Sequence, residues 1–92
     1  MENAQLLAAA ELGEEAKKFI ESDLGRTMLG MALQEVELAR ESLETVNPND
    51  VKKIMEFQLQ ARFGREFRSW VEGIARAGDE AIQQWRQQNR GG

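Results

Sequence analysis

Val46-Asn47-Pro48-Asn49-Asp50 is the stretch on which the fold turns. It holds the single proline of a 92-residue chain, flanked by asparagines that serve as helix caps. Proline suits a first helical turn, and Asp50 suits the positive end of a helix dipole. The chain therefore reverses here, between two segments that are both patterned as helix. Charge divides at the same place. Residues 1–50 carry 4 Lys+Arg against 11 Asp+Glu, a balance of −7, whereas residues 51–92 carry 8 against 5, a balance of +3. Helical segments of opposite charge favour packing against each other, or against copies of each other, over pairing like with like.

Upstream of the turn, apolar residues recur at helical spacing from Leu24 to Val46, and Ser22 and Asp23 are natural N-caps for that run. The expectation is a first helix over about 3–21, a second over about 23–46, a turn at 47–50, a long third helix over about 49–88 and a flexible tail at 89–92. Alternating β-branched runs and Asn-Gly or Asp-Gly hairpin turns are missing from the sequence. The fold expected is all-α: three helices forming one small domain, with a long antiparallel hairpin of the second and third, the first packed alongside or exchanged with another subunit, and an oligomer as the working form.

At about 100° per residue, Leu24, Met28, Ala32, Val36, Ala39, Leu43 and Val46 share one stripe of the second helix, with Glu37, Glu41 and Glu44 on its far side. Glu35 falls in the apolar arc. A carboxylate there needs an Arg, a backbone group or water to meet it, which places it at a rim. In the third helix Phe63, Phe67, Trp70, Val71, Ile74, Gly78, Ala81 and Trp85 share a stripe, opposite Arg62, Arg65, Arg68 and Arg76. The earlier piece, Val51, Ile54, Met55 and Phe57, points elsewhere, so residues 51–60 and 63–85 should touch different neighbours. Gly64 sits at that change of phase and marks either a bend or a close approach of another helix. Gly25 and Gly30 read likewise as sites of close packing.

An unbroken third helix of that length extends roughly 60 Å, more than the second helix covers. The surplus stripe, with Phe63, Phe67, Trp70, Ile74 and Trp85 as candidates, must be covered by the first helix or by a second chain, and a two-fold dimer is the simplest closed solution.

Catalytic chemistry has little to work with. The chain has no His and no Cys, which removes the usual general base, the commonest metal ligand and the thiolate. Ser22, Ser42, Ser69, Thr27 and Thr45 have no activating base, and Gly25 and Gly30 belong to no phosphate-binding loop. The acidic pairs Glu11/Glu14 and Glu41/Glu44 have the spacing of metal carboxylates, but such pairs arise in any acidic helix, and no metal or other cofactor is expected. The run from Arg62 to Trp70 interleaves Arg with aromatics as nucleic-acid segments do; here the two kinds lie on opposite faces, and Arg62/Glu66 and Arg68/Glu72 are ion-pair spacings. Nucleic acid is thus a less favoured partner than protein. Met1-Glu2-Asn3 lacks the basic start of a signal peptide, and no apolar run reaches membrane-span length, so a soluble intracellular protein is expected. Arg90-Gly91-Gly92 reads as a tail.

Taken together, Ala8-Ala9-Ala10-Glu11-Leu12-Gly13, Phe19, Glu21-Ser22-Asp23-Leu24-Gly25-Arg26, Ala32, Glu35, Ala39, Asn47-Pro48-Asn49-Asp50 and Leu59-Gln60 resemble short all-helical proteins encoded by tailed bacteriophages and prophages. The resemblance implies a phage origin, the cytoplasm of a bacterial host or the virion as location, and a non-enzymatic role. The expected partners are the chain itself and another phage or host protein. Three functions follow as expectations: a helical interaction protein in virion assembly or as an accessory factor; an inhibitor of a host enzyme or defence complex acting through the acidic face; and a nucleic-acid-binding dimer using the Arg ridge.

Overall fold

The structure is a computed structural model that describes residues 2–90. Three α-helices make up its regular structure: α1 at Glu2–Glu21, α2 at Asp23–Thr45 and α3 at Val51–Arg90. No strand occurs among the described residues.

The junction of α1 and α2 is one residue long because Ser22 closes one helix and opens the next. Its backbone is extended (φ −73°, ψ 158°). Its hydroxyl donates to the Phe19 carbonyl at 2.7 Å and accepts from the Gly25 N–H at 2.9 Å, meeting one orphan group at each helix end. The Arg26 guanidinium donates to the Glu21 carbonyl at 2.9 Å, capping α1 a second time. A Cβ on Gly25 would run into the Phe19 carbonyl, so the tight joint requires glycine there.

The 46–50 reversal forms as expected, with the roles of its residues redistributed. Asn47 does not cap α3. Its carboxamide oxygen accepts from the Asn49 N–H at 2.9 Å, and its carbonyl accepts from the Asp50 N–H at 2.9 Å. These bonds build a β-turn with Pro48 at its second position, where a fixed φ is useful. Asp50 is the cap, its carboxylate accepting from the Lys53 N–H at 3.2 Å, and α3 starts at Val51 rather than 49. At the other end α3 runs to Arg90, so Asn89 and Arg90, expected in the tail, are helical; Asn89 donates to the Trp85 carbonyl at 2.9 Å. Gly91 and Gly92 lie outside the described residues.

α3 is continuous through Gly64 and Gly78, both of which are places of close approach. A Cβ on Gly64 would lie 2.5 Å from the Ala32 carbonyl oxygen and 2.8 Å from Val36; one on Gly78 would lie 2.6 Å from the Gly13 Cα. Gly30, by contrast, faces open space and packs against nothing. Leu6 and Ala10 lie beside Ala81 and Trp85, Gly13 meets Gly78, Phe19 lies beside Phe67 and Val71, Ala32 meets Gly64 and Glu35 meets Gln60. As the chain advances through α1 and α2, its partners on α3 recede, first from the C-terminal half and then from the N-terminal half. α1 and α2 thus lie one after the other along a single long helix.

The resulting body measures 64 × 27 × 16 Å, with a radius of gyration of 18.7 Å, against about 12 Å for a compact chain of this length. Its accessible surface is 7272 Å², whereas a compact monomer of 10.4 kDa has about 5,400 Å². The interior accounts for the difference. Among the described residues the buried apolar side chains are Ala16, Val36, Ala39, Ala61 and Ala81, joined along the seam by Gly13, Gly25, Gly64 and Gly78. Small residues let the helices approach closely, but they leave the large apolar side chains outside.

Candidate protein interface

The contact points of each helix fix which way its other residues face. Measured from Gly13 on α1, Val36 on α2 and Gly64 on α3, nine large apolar residues are turned by about 80° to 140° to one side: Leu12, Phe19, Leu24, Met28, Met31, Leu59, Phe63, Trp70 and Ile74. Because α3 runs opposite to its neighbours, that rotation brings all nine to the same face of the body. A concavity of about 490 Å³ at the α1–α2 joint brings four of them, Leu12, Phe19, Met28 and Ile74, together with Phe67 and Val71.

The aromatic candidates named from sequence fall on or beside this face. Phe63 is 63% exposed, Trp70 56% and Ile74 45%, with Phe67 half-buried in the concavity. Phe63 and Trp70 meet edge to face, ring centroids 6.4 Å apart and planes at 89°, an arrangement that orients both rings. Trp85 is set apart: it lines a separate 450 Å³ groove with Leu6, Leu7, Ala10 and Ile82 at the far end, where α1 begins. Packing of α1 alongside α3 therefore covers the glycine-alanine seam and leaves the aromatic stripe open.

The charged candidates keep to the other side. Glu37, Glu44, Arg65 and Arg76 point away from the apolar face, and Glu41 and Arg62 lie toward the outer edges. Glu37 pairs with Arg40 at 3.8 Å, Arg62 with Glu66 at 4.0 Å and Arg68 with Glu72 at 2.7 Å, the last two at the expected spacing. All are exposed and add little stability. Glu35 is exposed at the rim, and the group that meets it is the Gln60 carboxamide, which donates at 2.6 Å. The Lys17 ammonium donates to Asp79 across the α1–α3 seam, and that hydrogen bond holds Lys17 above the usual lysine range.

Chemical groups do not converge in the same way. Among the described residues no three acidic side chains come together where a metal ion could sit. No helix of the described residues is long and apolar enough to cross a membrane. The face itself contains residues that sequence reasoning placed on the apolar stripe of α2, Leu24 and Met28, and others it placed on no packing face, Leu12 and Leu59. The spacing of Gly13, Ala16, Ala61, Gly64, Gly78 and Ala81 was the available signal, since close-packed seams are built from such residues. Comparison with protein-family models, with curated proteins and with solved structures finds no match for this chain.

Proposed function

We propose that the chain is a non-enzymatic interaction protein: a long antiparallel helical hairpin that works by laying its apolar face against another protein. The observation that carries this reading is the exposed face bearing Leu12, Met28, Phe63, Trp70 and Ile74, on a body whose surface exceeds that of a compact monomer by about 1,900 Å². Large exposed apolar faces mark sites of protein contact, and aromatic anchors are the residues that dominate protein interfaces. In the bacteriophage setting implied by the sequence resemblance, the role is virion assembly or that of an accessory factor, in the host cytoplasm or the particle.

The test is the mass of the native complex recovered from cells after mild cross-linking, for wild type and Trp70→Glu, with far-UV circular dichroism as the control for folding. The reading expects a complex heavier than the 10.4 kDa chain that Trp70→Glu disperses without loss of helicity. A chain that runs as a free monomer in both forms would overturn it.

One observation supports a second reading, inhibition of a host enzyme or defence complex: Glu37, Glu41 and Glu44 form an exposed acidic ridge on a half with charge −7. Lys at all three positions would abolish target binding under that reading and leave it intact under the first. The Arg ridge has less behind it as a nucleic-acid surface, because Arg62 and Arg68 already face Glu66 and Glu72.

A further inference from the structure

We infer that the occupant of the apolar face is a second copy of this chain, seated so that α3 of each copy covers α1 and α2 of the other. The inference rests on the reading above and adds the partner and the register. Area is the first argument. The body is 64 Å long and 27 Å wide, and its surface exceeds that of a compact monomer by about 1,900 Å², which leaves room for the roughly 800 Å² per partner that a stable complex needs. An identical hairpin supplies the covering layer, with an apolar face of the same length turned toward the first.

Charge selects the arrangement. A two-fold axis between two stacked faces lies in the plane of contact and runs either along the helices or across them. An axis across them stacks α3 on α3, +3 over +3, and the α1–α2 half on its copy, −7 over −7. An axis along them crosses the halves, so that each −7 faces a +3, the complementary choice. Symmetry then fixes the register, because a two-fold along the helices admits no sliding. Each residue meets what lies at its own height on the opposite arm. Carried along at ~1.5 Å per residue from the Gly64–Ala32 contact, Met28 lies within about 3 Å of the height of Trp70, and Leu24 within about 3 Å of Ile74. Trp70 of each copy therefore sits over the partner's Met28, at the mouth of the concavity beside the α1–α2 joint, where a ring against a thioether packs well.

The chain contains no cysteine, so introduced ones report cleanly. Met28→Cys mixed with Trp70→Cys, and Leu24→Cys mixed with Ile74→Cys, should give inter-chain disulfides under mild oxidation. Trp70→Cys alone should give none, since in this arrangement two copies of α3 are diagonal and beyond the ~7 Å Cα separation a disulfide tolerates. Circular dichroism of each variant confirms that it is helical. A dimer in which Trp70→Cys links to itself and the mixed pairs fail would overturn the register in favour of α3 on α3. Purified wild type that stays monomeric at high concentration would overturn the second copy as occupant. The interaction reading would nonetheless survive that result if the complex recovered from cells is heavier than the chain and dispersed by Trp70→Glu.

Discussion

At the residue scale the glycines divide into two kinds that share one letter. Gly13, Gly64 and Gly78 stand where a Cβ would press on backbone across the seam, and Gly25 where it would strike the Phe19 carbonyl. Gly30 and Gly73 sit mid-helix with nothing within 4 Å, and only propensity bears on them. Alanine scanning should separate the kinds by sign. Gly64→Ala and Gly78→Ala are expected to lose about 1–3 kcal/mol in urea unfolding through overpacking, and Gly25→Ala about 3 kcal/mol or more because its Cβ would overlap the Phe19 carbonyl far more deeply. Gly30→Ala and Gly73→Ala should gain about 1 kcal/mol. A uniform gain across the set would mean that the close approaches do not exist. Sequence reading recognised Gly64 as a bend or a contact, and the contact is what forms. It misplaced Gly30, since no local signal tells a packed glycine from an exposed one.

At the scale of elements, legibility followed how local the controlling interaction is. Ser22 caps its own neighbour three residues on, so the break between α1 and α2 could be read from a few letters. The turn at Pro48 was equally plain, yet Asn47, Asn49 and Asp50 compete for the same backbone groups, and the choice of Asp50 over Asn47 as cap depends on which bonds close together. Ser22→Ala and Asp50→Ala should each cost about 1 kcal/mol, with the larger helicity loss for Ser22→Ala because its hydroxyl serves two helix ends. Equal unfolding midpoints for the variants and wild type would remove both caps from the account. The split of the apolar stripe into a small-residue seam and a large-residue face was not legible. Ala32, Val36 and Met28 share one arc on a helical wheel, and only the neighbour's distance decides which of them touch it.

For the whole molecule, the interior of alanine, glycine and one valine is too thin to account for stability in the ordinary way. Burying a large side chain contributes ~1.5–3 kcal/mol, and both tryptophans and Phe63 are about half exposed or more, with Phe19, Phe57 and Phe67 only part-buried. Stability should therefore depend on association. In thermal unfolding, a tenfold rise in protein concentration is expected to raise Tm by about 4 °C for a dimer of this size, and Trp70→Glu should flatten that dependence. A Tm independent of concentration in wild type would mean that one layer of helices stands alone. The all-helical class, the three helices and the charge division are all legible in the sequence alone. The open face is not, because the hydropathy of a residue is the same whether or not anything covers it.

The two close approaches along α3 also make the chain a ruler. Gly64 and Gly78 lie fourteen positions apart on one helix, and the residues they meet, Ala32 and Gly13, are joined through the bend at Ser22. One residue inserted between either pair turns everything beyond it by about 100°, carrying one contact off its mark while the other holds. Lengths inside this span can change only in step on the two sides, or by whole turns. The restriction lifts before Leu6, after Trp85 and at the 46–50 turn, and natural variation in length should collect there.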